Sequence, residues 1–227
     1  MSFKRKILPD VFPEKDELTR QLVSIGFLFA SDKNQDEPNI ENVLVAASIE
    51  GLKGDLRTLS LLVDWVPIHL KQTNIDRLTS ILVELGDKKL KAFWSALAKW
   101  QEKDPRMTKL QRIYRGPRVA LLEEDEMSFF LKRDGEDNRF RGSKFLVPAK
   151  VLRHRESDIA SPGWVAKNHK AYKYRIIIGP TYRADMWALL EREPNLGPSE
   201  VARRCYGSFG TAWDVKKDWM LIQSLAA

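Results

Sequence analysis

A single cysteine in 227 residues, Cys205, leaves no internal disulfide to staple the fold. That scarcity fits a reducing compartment, and Cys205 lies among apolar helical positions, where a cysteine fills core space rather than reacting. Histidine is scarce too, with His69, His154 and His169 the whole set. None has a second histidine or a cysteine at ligand spacing, so neither a metal nor another cofactor is expected. Glycine-rich phosphate loops, Gly-x-Ser-x-Gly elbows and activated-cysteine motifs are all missing. Without an acid/base or metal constellation, an enzyme is not expected. Asp134, Glu136 and Asp137 are close in sequence but lack the remaining ligands of a calcium loop. The longest apolar stretches are broken by Asp64, Pro67 and His69, short of the roughly 18 residues of a membrane span. The basic start, Ser2 to Pro9, has no apolar segment behind it of the kind a secretory signal carries. A cytoplasmic protein without membrane association is the expectation.

What the chain does have is charge of one sign in one place. The net charge is +7; residues 1–100 hold 14 Lys+Arg against 14 Asp+Glu, and residues 101–227 hold 24 against 17. Between Arg139 and Arg183 eleven basic residues face only Glu156 and Asp158. Phe140, Phe145, Trp164, Tyr172, Tyr174 and Tyr182 are interleaved with them. Cations neutralise phosphates without reading sequence and aromatic faces stack on bases, so this track suits nucleic acid.

Apolar spacing predicts five helices in the first hundred residues. Pro13 opens the first, with Leu18, Leu22, Ile25 and Phe29 on one face, and Pro38 opens the second, closed by Gly51. Asp55 caps the third, which Pro67 bends or ends. Thr73 and Asp76 suggest a capping box for the fourth, and Asp87 begins the fifth. After Asp104-Pro105 the pattern shortens. Strands are expected within 112–122, at 127–132, at 140–151 and at 171–178, with a hairpin loop at 133–138 and a solvated acidic turn at 123–126. On the last strand Lys173 and Arg175 share one face, and Tyr172, Tyr174 and Ile176 the other.

The last stretch reads as three short helices. Thr181 caps the first, which buries Met186, Leu189 and Leu190. Pro198 opens the second, burying Val201, Ala202 and Cys205, and Tyr206 to Gly210 form the turn. The third starts near Thr211 and buries Ala212, Val215 and Trp219, with Lys216 and Lys217 on the far side. Small Ala202 at the crossing of two helices is what a helix-turn-helix requires. With the runs Ile176-Ile177-Ile178-Gly179-Pro180, Arg183-Ala184-Asp185 and Pro198 to Arg203, this stretch resembles the winged-helix regulators and antitoxins that accompany nucleotidyltransferases. Two departures are visible: the turn glycine falls one position late, at Gly207, which implies a longer turn, and the chain stops at Ala227 with no hairpin to form a wing.

The expected architecture is α+β and mainly helical. An N-terminal helical domain (1–103) precedes a small basic β-rich middle element (104–178) and a winged-helix-like helix-turn-helix unit (179–227) without an evident wing. The resemblance implies a regulator that binds double-stranded DNA, conceivable as the antitoxin of a toxin-antitoxin-like pair and as a homodimer matching paired half-sites. Ser208, Thr211, Trp213, Lys216 and Lys217 are then the groove-facing candidates, with Arg203 and Arg204 on flanking phosphate. Arg153, Arg155, Lys173 and Arg175 belong to the upstream track. The alternative is an adaptor, in which the same unit and the acids of 123–126 dock on a protein partner, toxin-like or a second copy, without DNA.

Overall fold

The computed structural model describes residues 5–32 and 37–226. Of the basic start, Ser2, Phe3 and Lys4 lie outside the described residues, as does Ala227. The chain is mainly helical. The first five helices are α1 (Lys15–Ser24), α2 (Ile40–Leu52), α3 (Leu56–His69), α4 (Ile75–Leu85) and α5 (Lys88–Trp100). Asp55 and Asp87 cap α3 and α5, their carboxylates accepting from the N–H groups of Thr58 and Leu90. Four expected boundaries shift. Asn74, not Thr73, caps α4, because the Thr73 hydroxyl donates back to the His69 carbonyl. Gly51 lies inside α2, where an added Cβ would come within 2.8 Å of Leu59, so it permits α2 and α3 to approach closely. α3 runs on past Pro67 to His69, and Phe29 falls outside α1.

Residues 104–178 are not β-rich. They form α6 (Met107–Gln111), α7 (Glu124–Asp134), α8 (Pro162–Asn168) and α9 (Lys170–Ile178) around two short strands, β1 (Val119–Ala120) and β2 (Phe145–Leu146). The strands pair in parallel, Val119 opposite Phe145, so the expected hairpin at 133–138 does not form. Instead the acids of 123–126 begin α7, Lys132 and Arg133 end it, and Gly135 stops it at φ +75°. Acids at the start and bases at the end complement the helix dipole, which favours a helix where β propensity suggested a strand. The segment 171–178 is likewise helical: the His169 ring accepts from the Tyr172 N–H at 3.2 Å and caps α9.

One apolar core joins these parts. Leu44, Leu62, Trp65, Phe93 and Trp94 of the first five helices pack with Met107, Phe140, Phe145 and Tyr172 from beyond residue 104. A second core holds the last three helices together: α10 (Tyr182–Arg192), α11 (Pro198–Arg204) and α12 (Phe209–Ala226).

Candidate nucleic-acid interface

The three-helix unit is assembled around the residues its sequence pattern selects. Met186, Leu189 and Leu190 of α10, Val201 and Ala202 of α11, then Cys205, and Ala212, Val215 and Trp219 of α12 form its core. Burial pushes the Cys205 thiol above its ordinary pKa, so it stays protonated core filler. α12 begins at Phe209, earlier than expected, because the Ser208 hydroxyl accepts from the Thr211 N–H at 3.1 Å and the Ser208 carbonyl from the Ala212 N–H.

The turn is not lengthened by the late glycine. Only Cys205 to Ser208 separate α11 from α12, and Tyr206 itself takes the left-handed backbone, φ +57°, that a glycine would supply. Its neighbours hold it there. The Arg77 guanidinium lies over its ring, Asn42 Nδ2 donates to its hydroxyl at 2.9 Å, and Arg5 Nε donates to its carbonyl at 2.8 Å. Gly207 is instead closely packed, since an added Cβ would meet Met186 Cε at 2.2 Å and that flexible thioether end would have to move.

A buried ion-pair cluster fixes the unit to the helical body. Arg175 of α9 is 2% exposed; it donates to Glu41 of α2 at 2.6 and 2.9 Å and to Asp185 of α10 at 2.8 Å through two nitrogens. Burial works against its charge, but Asp185 and Glu41 outweigh that and raise its pKa above the usual arginine value. This removes Arg175 from any nucleic-acid surface. On a helix Arg175 and Tyr172 share the inward face and Lys173 points out, the reverse of the strand expectation that paired Lys173 with Arg175.

The other expected contacts divide by their partners. Trp213 is 57% exposed on the side of α12 opposite its buried stripe, and Lys217 is exposed there too. Lys216 does not share that side; it is half-buried on the flank and donates to the Pro194 carbonyl at 2.5 Å. The Ser208 and Thr211 hydroxyls bond to each other at 2.8 Å within the cap. Arg203 is paired with Glu200, and Arg204 with Glu193 through two hydrogen bonds. Those hydrogen bonds hold both carboxylates below their ordinary pKa. Arg153 and His154 lie elsewhere, on a cleft of about 1180 Å³ to which the last three helices contribute no lining residue. The Arg155 N–H donates to the buried Asp64, and its guanidinium to Asp158.

Within residues 179–227, Arg183, Arg192, Arg203, Arg204, Lys216 and Lys217 are matched by Asp185, Glu191, Glu193, Glu200, Asp214 and Asp218, so the unit is neutral. The positive surplus therefore lies in residues 101–178. Sequence reasoning missed Arg77, Glu41 and Asn42 because they act across long separations, and Asp185, only ten positions from Arg175, because the expected strand at 171–178 turned Arg175 outward. A non-glycine residue at the usual turn position was the one local hint.

Among the described residues no group of acids, histidines and cysteines could hold a metal ion. No described helix is long and apolar enough to cross a membrane. Compared with protein-family models, curated proteins and solved structures, the chain gives no significant match.

Proposed function

We propose that the chain is a DNA-binding regulator in which α10, α11 and α12 act as a helix-turn-helix on duplex DNA. One observation carries the reading: α12 is held from one side only, by Ala212, Val215 and Trp219, and leaves Trp213 and Lys217 outward behind a capped N-terminus. That is the placement a recognition helix needs to reach base edges. Arg203 and Arg204 supply the phosphate contacts, because exposed ion pairs are weak enough for a phosphate to displace the carboxylate. Lys217 and Trp213 are the reading residues in this arrangement. The resemblance to regulators that accompany nucleotidyltransferases extends the proposal to a toxin-antitoxin-like pair and to a homodimer on paired half-sites. Repeated selection from a random duplex pool tests it: enrichment of one sequence supports the regulator, and a pool that stays random at low salt ends it.

A second reading rests on the far end of α12, where Met220, Leu221, Ile222 and Leu225 are all exposed. Residues 219–227 carry no charged side chain, so this part of α12 suits a protein surface better than a phosphate backbone. In that reading the unit is an adaptor without DNA binding.

A further inference from the structure

A cleft of about 640 Å³ lies between the start of α4, α6 and the entry to α10. Asn74, 4% exposed, lines it, and its side-chain nitrogen has no hydrogen-bond partner. The orientation of that amide is settled by its other end: Oδ1 accepts from the Arg77 N–H at 3.0 Å, and a flipped amide would set two donors against each other. The Asn74 N–H is already engaged with Glu41 at 2.8 Å. What remains is a buried donor that lacks an acceptor, a costly arrangement unless something fills it.

Its surroundings define the missing acceptor. Asn74 is the cap of α4, an eleven-residue helix, so the positive end of the helix dipole and the first free N–H groups gather at this point. Arg112 is exposed on the cleft, and Lys109 reaches Asp76, the one acid among the lining residues, at 2.7 Å. Arg106 is held in place by Asp104 and by the Leu70 carbonyl. We propose that this cleft binds a phosphate group, with Asn74 donating from the buried end and Arg112 and Lys109 from the open end. The phosphate belongs either to a nucleic-acid backbone or to a free phosphorylated small molecule. The site does not depend on the helix-turn-helix reading, although Pro180 and Thr181, which lead into α10, form one wall.

The test titrates inorganic phosphate into the isotope-labelled full chain at constant ionic strength, with chloride as the reference, and follows the Asn74 side-chain amide by NMR. A saturable shift is expected with phosphate and not with chloride. Arg112→Gln, at an exposed position, should weaken it by about tenfold or more, since a charged hydrogen-bond donor is lost. Asn74→Asp keeps the acceptor that caps α4, replaces the donor with a negative charge, and should abolish binding. An Asn74 amide that does not move overturns the site, as does a phosphate response equal in the parent and Arg112→Gln; the latter comparison stands even if Asn74→Asp fails to fold. Two further results support the site and separate the sources. If Arg112→Gln weakens a short duplex by the same factor, the phosphate is DNA's; if duplex affinity is unchanged while phosphate affinity falls, the ligand is a small molecule.

Discussion

The guanidinium carbon of Arg77 lies 3.6 Å from the centre of the Tyr206 ring, which joins the fourth helix of the body to the turn between α11 and α12. Arg77 is itself fixed by Asn39, Asn42 and the Ile7 carbonyl, so the turn rests on a rigid support.

Replacing Tyr206 separates the support from the backbone. Tyr206→Phe loses only the Asn42 hydrogen bond and should cost about 1 kcal/mol. Tyr206→Ala loses the ring against Arg77 as well and should cost about 2–3 kcal/mol. Tyr206→Gly should be about 1 kcal/mol more stable than the Ala variant, because glycine adopts positive φ without a Cβ clash. Urea unfolding measures all three, and equal stability of the Ala and Gly variants would refute the left-handed turn.

Arg175 and Lys173 distinguish helix from strand in α9. Arg175→Met leaves the buried Glu41 and Asp185 without their hydrogen-bonded cation and should destabilise by about 3–5 kcal/mol. Lys173→Ala, on the exposed face, should change stability by less than about 0.5 kcal/mol. Similar losses for both would show that the two residues share a face after all.

His69 makes the fold acid-sensitive. It is fully buried, with Nε2 donating to the Ala160 carbonyl at 3.1 Å and Nδ1 hydrogen-bonded with the Tyr172 hydroxyl at 2.7 Å. Burial lowers its pKa to about 4, against 6.5 unfolded, with the Ala160 contact opposing the shift only in part. The unfolded chain therefore binds a proton first as pH falls. Stability is fully present above about pH 6.5 and is lost as pH drops towards 4, by about 2 kcal/mol between pH 7 and 5. His69→Gln should lose correspondingly less over that interval in urea unfolding. An identical pH profile for parent and variant would contradict the assignment. His169, buried against the Pro38 carbonyl, has its pKa lowered by burial too and adds a loss of the same sign in both proteins.

The first five helices were legible because Leu59, Leu62, Leu78 and Leu82 recur at helical spacing and Asp55 and Asp87 cap in the ordinary way. The core of the last three helices was legible for the same reason, down to Ala202 and Trp219. Residues 171–178 misled because Ile176, Ile177 and Ile178 favour strands and the cap is a histidine, a weak signal by itself. On α12 helical spacing placed Lys217 correctly on the open side, whereas Lys216, placed there with it, lies on the flank against the Pro194 carbonyl. The burial of Arg175 could not, since it depends on Glu41, 134 positions away.

Fluorescence anisotropy of a short duplex across a salt series tests the central claim, that the open face of α12 binds DNA. The parent should bind at low salt, with affinity falling linearly on a log–log plot, and Lys217→Ala should reduce the slope by about 0.9 for the one phosphate or base-edge cation it removes. Trp213→Ala should weaken binding with the slope unchanged, because it removes contact area and no charge. No binding at about 50 mM salt, or slopes and affinities identical in the parent and both variants, would contradict the account and leave α12 as a protein-docking helix.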